Sequence, residues 1–171
     1  VLSFVTAPDY ETKSSYSAIV TASDGDLSAT QAITVNVINL NDNAPVFTSS
    51  SSLSADENQT SIDTVTASDA DNSSLSFSVS GSELIITDSG TLSFVSAPDY
   101  ETKSSYTATI TVSDGVASAS QNITVSVNNL NDNAPVFTSS ASFNAAENQT
   151  TIGVVTVCLL YTSDAADELR S

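Results

Sequence analysis

The chain has 171 residues, 40% of them hydrophobic, and its three Lys plus Arg against 20 Asp plus Glu give a formal net charge of −17. A surface this acidic repels phosphate backbones, which argues against nucleic-acid binding. The sequence has no His and a single Cys, Cys158, so Ser-His-Asp and Cys-His catalysis and ordinary zinc ligand sets are excluded. We therefore expect a protein that is not an enzyme.

The residue content favours β-structure. Aromatic residues make up 6% of the chain, Trp and Met are absent, and Ser and Thr are abundant, a composition typical of short, half-exposed strands. No signal peptide is visible, and the longest apolar run, near residues 154–160, is too short to span a bilayer. The expected fold class is all-β.

The chain contains a tandem repeat. Residues 39–47 recur unchanged at 129–137, and residues 1–47 match 91–137 at about three positions in four. We divide the chain accordingly into the C-terminal half of one repeat, one complete repeat, the start of a third, and a tail that no longer matches. These segments are residues 1–44, 45–134, 135–157 and 158–171.

Strands are predicted in both the half repeat and the complete repeat. In the complete repeat Tyr106, Ala108, Ile110 and Val112 alternate with hydroxyl residues, which indicates a strand with one buried face. The half repeat is predicted to hold strands at 16–22 and 33–37. The seven candidates of the complete repeat are residues 46–53, 62–67, 75–79, 84–87, 92–95, 106–113 and 123–127. Seven short strands in about 90 residues predict a Greek-key, immunoglobulin-like β-sandwich.

The tail has a different origin in our interpretation. From Cys158 onward the third copy stops matching the second, and this segment holds the only Cys and the only Arg of the chain. We interpret residues 158–171 as a non-native tail, such as translated adapter or vector sequence.

The two copies of Asn-Leu-Asn-Asp-Asn-Ala-Pro form oxygen-rich joints between repeats. Carboxylate, amide and carbonyl oxygens are the ligands that Ca²⁺ prefers, and it takes six to eight of them. A polar turn explains the same residue types, but a second copy at the same phase of the repeat favours the cation site.

Further acids recur at strand ends in the same order in each copy. They are Asp9, Glu11, Asp24, Glu57, Asp69, Asp71, Asp99, Glu101 and Asp114. The Asp-Gly pairs at 24–25 and 114–115 are also common hairpin signals, so a turn and a ligand role stay open there. The segment Asp69-x-Asp71-x-Ser73 lacks the Gly and the Glu that an EF-hand loop needs, which argues against an EF-hand. A glycosidase needs a single pair of catalytic acids, whereas the acids here recur in each repeat.

The ordered motifs Glu-Asn, Asp-x-Asp, Asp-x-Glu, Ser-Asp-Gly and Asn-Asp-Asn-Ala-Pro-x-Phe resemble a cadherin repeat, over residues 1–157. The resemblance implies Ca²⁺ ions bound at each junction between repeats, where they rigidify the array. For the first junction it implies the ligands Asp9, Glu11, Asn39, Leu40, Asn41, Asp42, Asn43, Asp69, Asp71 and Asp114. Leu40 and Asn43 would contribute backbone carbonyls.

For the second junction the resemblance implies the ligands Glu57, Asp99, Glu101, Asn129, Leu130, Asn131, Asp132 and Asn133. Each junction departs from the family pattern. The first lacks the Glu-Asn glutamate, whereas the second has Leu159 and Tyr161 in place of an Asp pair. Both linkers begin with Asn where the family has Asp, which removes a charge.

The sequence therefore predicts calcium binding that rigidifies an extracellular adhesion or stalk array at the cell surface. The whole protein is predicted to be anchored in a membrane or cell wall, with other surface proteins or glycans as partners of distal repeats. It looks most like a bacterial surface adhesin. The alternative is a passive spacer or accessory binding module of a secreted surface enzyme.

Overall fold

The computed structural model describes residues 1–71 and 74–159, and within them the chain forms β-strands and no helix. No helix in this part is therefore long and apolar enough to cross a membrane. The half repeat folds as an antiparallel hairpin of β1 (Ser15–Ser23) and β2 (Ser28–Asn36). None of residues 1–40 is fully buried.

The complete repeat is the immunoglobulin-like β-sandwich that the sequence predicts. Its strands are β3 (Val46–Phe47), β4 (Ser52–Asp56), β5 (Ser61–Thr64), β6 (Ala67–Ser68), β7 (Ser76–Val79), β8 (Leu84–Ile86), β9 (Thr91–Phe94), β10 (Ser105–Ser113) and β11 (Ser118–Asn128). One sheet has the order β4-β11-β10-β7 and the other β5-β9-β8, with β3 and β6 as a short separate pair. The all-β fold class is confirmed.

Two predicted strands are broken in the structure. The candidate at 46–53 becomes β3, which pairs antiparallel with β6, and β4, which pairs parallel with β11. The candidate at 62–67 becomes β5, which pairs with β9, and β6. The prediction of two continuous strands was wrong, because each segment changes pairing partner midway and side-chain periodicity carries no information about partners.

The core lies between the two sheets. The side chains that line it on β10 and β11 are those that the predicted alternation puts on the buried face. Ile110 and Val112 of β10 and Val125 of β11 are fully buried, while the intervening hydroxyl residues face outward. Phe94 packs edge-to-face on Tyr106 with ring centroids 4.9 Å apart. Each such buried aliphatic side chain contributes about 1.5–3 kcal/mol to folding.

One turn of the core tolerates only glycine. Gly90 has φ +89°, its carbonyl accepts the N–H of Val65 at 2.8 Å, and a Cβ there would overlap the Val65 carbonyl oxygen. We expect Gly90→Ala to lower the free energy of unfolding by about 3 kcal/mol, measured by urea denaturation. Gly81→Ala is the matched control, since φ is +85° there but no atom lies within 4 Å; it should cost about 1 kcal/mol. Equal losses in both variants would contradict the steric argument.

The third copy keeps one strand pair. β12 (Val136–Phe137) and β13 (Val157–Cys158) pair antiparallel with Val136 opposite Cys158, the register that Val46 and Ser68 have in β3 and β6. Cys158 thus continues the repeat pattern by one residue. Most of the predicted tail, residues 160–171, lies outside the described residues.

The two junctions lie at opposite ends of the complete repeat. β10 starts just after the loop that contains Asp99 and Glu101 and ends at the turn formed by Asp114. Its nine residues span about 30 Å at 3.3–3.4 Å per residue. Each junction is therefore a separate site.

Candidate metal centres at the inter-repeat junctions

The first junction gathers acids from three parts of the chain. Carboxylate oxygens of Glu11, Asp42 and Asp71 all lie within 4.8 Å of one another. Glu11 precedes β1, Asp42 lies in the linker, and Asp71 follows β6 in the complete repeat. Asp71 is only 9% exposed. The structure thus brings together three of the predicted ligands, one from each side of the joint and one from the linker.

Asp71 holds the linker against the complete repeat. Its Oδ2 accepts the backbone N–H groups of Asp42 and Asn43 at 3.0 and 2.8 Å, and its Oδ1 accepts Nδ2–H of Asn43 at 3.2 Å. The N–H of Asp71 in turn donates to Oδ1 of Asp69 at 2.8 Å. These bonds fix the linker to the following repeat through a single carboxylate.

Two linker amides point at the same repeat. Nδ2 of Asn39 donates to the Asp71 carbonyl at 3.3 Å, and Nδ2 of Asn41 donates to the Asp114 carbonyl at 3.4 Å. Both bonds are long, but they orient the two amide oxygens inward.

Buried acceptor oxygens without a hydrogen-bond donor collect at the junctions. Among the described residues they are Asn39 Oδ1, Asn41 Oδ1, Asp69 Oδ2, Asp114 Oδ2 and Asn129 Oδ1. A buried polar atom left unpaired costs about 1–3 kcal/mol. All of these atoms are acceptors and all but the last belong to the first junction, so a hard cation is a chemically fitting partner.

The Asp114 side chain forms the turn, and the structure leaves its ligand role open. Its Oδ1 accepts the N–H groups of Val116 and Ala117 at 2.7 and 2.6 Å, which shapes the β10–β11 turn. Its Oδ2 is buried without a partner. In the half repeat Asp24 makes the equivalent turn, and the bonds from Leu27 and Asp26 lower its pKa.

Asp9 and Asp99 organise their own loops. Oδ1 of Asp9 accepts the N–H groups of Glu11 and Thr12, and Oδ2 accepts the Thr12 hydroxyl at 2.9 Å. These bonds, those from Thr12 above all, lower the pKa of Asp9. Asp99 repeats the arrangement with Thr102. Neither carboxylate belongs to the two close groups of three acids among the described residues.

The pKa values of Asp71 and Glu11 are shifted in opposite directions. The N–H of Asn43, and further bonds from the linker, lower the pKa of Asp71. A hydrogen bond from its own backbone lowers the pKa of Glu11, but desolvation and the Asp71 carboxylate outweigh it and raise that pKa overall. The linker N–H groups thus stabilise the charged form of Asp71, whereas the charged form of Glu11 is disfavoured, and a cation bound between the two carboxylates would favour it.

The second junction gathers acids from one side and the linker. Oxygens of Glu57, Glu101 and Asp132 lie within 4.8 Å of one another. Glu57 is only 2% exposed, and its two oxygens accept the backbone N–H groups of Leu130 at 2.7 Å and Tyr100 at 2.8 Å. Glu57 thus ties the second linker to the base of the complete repeat.

Among the described residues, no acid from the far side of the second junction belongs to the close group with Asp132. Leu159 stands where Asp69 stands in the first junction and is exposed. Tyr161, the counterpart of Asp71, lies outside the described residues. Leu40 and Leu130 have exposed side chains, so their predicted contribution is limited to the backbone carbonyl.

One residue of the second junction was missed as a site residue. Asn58 has φ +64°, and its Nδ2 donates to Oδ2 of Asp132 at 2.6 Å, while Nδ2 of Asn133 donates to Oδ1. The available signal was Asn after Glu57 at a strand end, since Asn adopts left-handed backbone conformations more readily than most residues. Asn148 repeats the conformation with φ +65°.

A tandem β-sandwich with acid clusters at its joints defines the class of extracellular repeat modules. The family model described as "Bacterial Ig domain" matches residues 41–126. The chain therefore belongs to the bacterial Ig domain family, and its repeat is cadherin-like. It is an extracellular or cell-surface segment.

The relatives are cadherins. The chain is 37% identical to human Protocadherin Fat 1, in a match that covers 75% of this chain and 3% of that protein. It is 32% identical to Drosophila melanogaster Neural-cadherin, in a match that covers 75% of this chain and 5% of that protein. Human Protocadherin gamma-A5 is 36% identical, in a match that covers 74% of this chain and 16% of that protein. The chain thus spans a small part of each, and both the relatives and the family model represent non-enzymatic classes.

Solved structures show the same fold. The structure titled "Protocadherin gammaB7 EC3-6 cis-dimer structure" matches with a TM-score of 0.69 and 32% identity over 77% of this chain and 36% of that one. Protocadherin Gamma B2 extracellular cadherin domains 3-6 match with a TM-score of 0.68 and 32% identity over 75% and 36%.

Proposed function

We propose that the chain is a calcium-rigidified segment of an extracellular adhesion or stalk array, with Ca²⁺ bound at the joints between repeats. The observation that carries this proposal is the set of buried, donor-free oxygens beside the Glu11, Asp42 and Asp71 carboxylates. An oxygen-only donor set with several carboxylates suits Ca²⁺. The ion supplies positive charge and coordination where the folded chain supplies only acceptors.

At the first junction we assign ligand roles on both sides of the joint. Glu11, Asp42 and Asp71 contribute the converging carboxylates, with the unpaired oxygens of the linker amides and of the following repeat around them. The proposed set is Asp9, Glu11, Asn39, Leu40, Asn41, Asp42, Asn43, Asp69, Asp71 and Asp114. Because each carboxylate oxygen has two acceptor positions, Asp71 can hold the linker and a cation together.

The second junction has the weaker proposed site. Its set is Glu57, Asp99, Glu101, Asn129, Leu130, Asn131, Asp132 and Asn133, which all belong to the complete repeat and its linker. On the far side of this joint, Leu159 stands at the position that Asp69 has in the first junction. We therefore expect fewer or weaker ions here than at the first junction.

The contacts that form without an ion indicate how Ca²⁺ would stiffen the joint. Asp71 already fastens residues 39–43 to the complete repeat, so flexing is confined to the joint between the linker and the base loop of Glu11. A cation that binds Glu11, Asp42 and Asp71 together closes that joint and relieves their repulsion. A series of such joints makes a rod, which suits the proposed anchoring of the whole protein and the display of distal repeats to other surface proteins or glycans. The repeat boundaries at 44/45 and 134/135 are part of this proposal.

Removal of calcium tests the proposal. We expect the melting temperature to rise in Ca²⁺ relative to EGTA, since ligand at about 100 times its dissociation constant stabilises a fold by about 2.7 kcal/mol. Because Asp71 already holds the linker, proteolysis in the loop that contains Glu11 should slow in parallel. Mg²⁺ at equal ionic strength is the control, because it accepts fewer protein ligands. A passive spacer predicts identical melting and cleavage in Ca²⁺ and EGTA, and that result would overturn the proposal.

A further inference from the structure

The turn after β4 directs two neighbouring side chains to the second linker. Glu57 accepts the N–H of Leu130 at 2.7 Å, and Nδ2 of Asn58 donates to Oδ2 of Asp132 at 2.6 Å. Neighbouring side chains of an extended strand point to opposite faces, so a strand that continued through Asn58 would place only one of them on the linker. The left-handed backbone of Asn58, with φ +64°, brings both side chains to the same side.

The backbone of this turn is held at the base of the complete repeat. The N–H of Asn58 donates to the Pro98 carbonyl at 3.0 Å, and the N–H of Glu57 donates to the Asn128 carbonyl at 3.2 Å. In the next copy of the Glu-Asn motif Asn148 has φ +65°, so the left-handed turn recurs with the motif. The Asn58 amide therefore extends from a fixed point on the repeat.

Two side-chain amides hold the Asp132 carboxylate, one on each oxygen. Nδ2 of Asn133 donates to Oδ1 at 2.7 Å, and Asn58 holds Oδ2. The Asn133 bond is local and recurs at the first junction, where Nδ2 of Asn43 donates to Oδ1 of Asp42 at 3.0 Å. The Asn58 bond spans 74 residues of sequence. It therefore fixes the carboxylate relative to the body of the repeat, which the local bond cannot do.

We propose that Asn58 is a positioning residue for Ca²⁺ at the second junction: it orients Asp132 toward Glu57 and Glu101 and does not itself bind the ion. This inference rests on the proposed function, since it needs a cation at this joint. One oxygen from each of the three acids lies within 4.8 Å of the other two. A carboxylate oxygen that accepts one hydrogen bond keeps a second acceptor position. Asp132 can thus stay bonded to Asn58 while it contacts a cation.

Asparagine combines the two properties that this position needs. It adopts a left-handed backbone more readily than most residues, and its amide donates a hydrogen bond without carrying a positive charge. A Lys or Arg would form an ion pair with Asp132 and offset the negative charge that attracts the ion. An Asp would tolerate the backbone but would repel the carboxylate, and a Gly would tolerate the backbone but provide no donor. Asn58 orders a ligand and leaves the charge of the acid group intact.

Site-resolved nuclear magnetic resonance of the whole chain tests the role, because the backbone signals of Asp132 and Asp42 report the two junctions separately. Asn58→Gly suits the positive φ and removes the amide. The Ca²⁺ midpoint at Asp132 should rise about tenfold, the lower end of the effect of losing an outer partner of a metal ligand, whereas the midpoint at Asp42 should not change. Asn148→Gly is the matched control and should titrate like wild type, since Asn148 has nearly the same φ and is not an amide partner of Asp132.

The Asn58 side-chain amide gives a second readout that needs no calcium. In EGTA its proton bonded to the carboxylate should lie downfield of the position of a free amide. Asp132→Ala removes the acceptor, so that proton should return to the free position. A residue that served only to form the turn would show no such dependence on Asp132.

The outcomes separate the positioning role from the proposed function. If Asn58→Gly binds Ca²⁺ at Asp132 as tightly as wild type, the positioning role is wrong and the proposed function stands. An Asn58 amide signal that Asp132→Ala does not move also contradicts the positioning role, with or without calcium. A wild-type chain whose Asp132 signal does not respond to Ca²⁺ would overturn the proposed function at this junction and the positioning role with it. Circular dichroism in EGTA should show the complete repeat folded in every variant, because Glu57 keeps both of its backbone partners.

Discussion

Asp71→Asn should weaken Ca²⁺ binding at the first junction about 100-fold. The substitution removes one negative charge from the acid cluster and replaces an acceptor oxygen by an NH₂ group. That group then faces the N–H donors of Asp42 and Asn43, which now contact a carboxylate. Loss of this charge and of a ligand oxygen is expected to cost about 2.8 kcal/mol of binding free energy, which corresponds to a factor of 100. Isothermal titration calorimetry measures the affinity directly.

The same variant tests the linker contact without calcium. In EGTA the amide protons of Asp42 and Asn43 should exchange faster with solvent in Asp71→Asn than in wild type. Asp63→Asn is the matched control: it makes the same charge change in the same repeat, at an exposed side chain that accepts the adjacent Thr64 N–H. Unchanged affinity and unchanged exchange in Asp71→Asn would show that Asp71 neither binds the ion nor holds the linker.

Glu57→Ala should lower the free energy of unfolding by about 3–5 kcal/mol even in EGTA. Truncation leaves the N–H groups of Tyr100 and Leu130 without their acceptor, at a cost of about 1–3 kcal/mol each, and it opens a cavity in a buried position. Chemical denaturation of the complete chain measures the loss. The second linker should also become more sensitive to protease, because Glu57 is its tie to the repeat.

Glu101→Ala separates the structural role from the ligand role. Glu101 is exposed and belongs to the same close group of acids, so its removal should cost less than 1 kcal/mol of stability while it weakens Ca²⁺ binding at the second junction. Equal stability losses in the two variants would contradict the assigned role of Glu57.

Much of the candidate site could be predicted from residue order. The repeat brings the same acids to the same strand ends, and two of its copies suffice to locate both junctions. The structure places Glu11, Asp42 and Asp71 together as that pattern predicts. It also places Leu159 on the far side of the second junction, where the sequence already lacks an acid.

Contacts between distant segments could not be predicted in this way. The two backbone N–H groups bound by Glu57, the division of Asp114 between turn and free oxygen, and the bond from Asn58 to Asp132 depend on how loops meet in space. A motif specifies which side chains are available, but hydrogen-bond partners that lie 43 to 74 residues apart are set by packing. The motif therefore could not tell that Glu57 is a structural tie as well as a candidate ligand.

The amino-acid order alone established the all-β class, the buried faces of β10 and β11, and the oxygen-rich joints, because alternation and repetition are local properties of the chain. Only the folded chain decided where the predicted strand at 46–53 breaks into β3 and β4, since that break reflects two different pairing partners. It also decided that Asp71 binds the linker to the repeat that follows. Strand partners and joint contacts are non-local, and they exist only once the two sheets have packed.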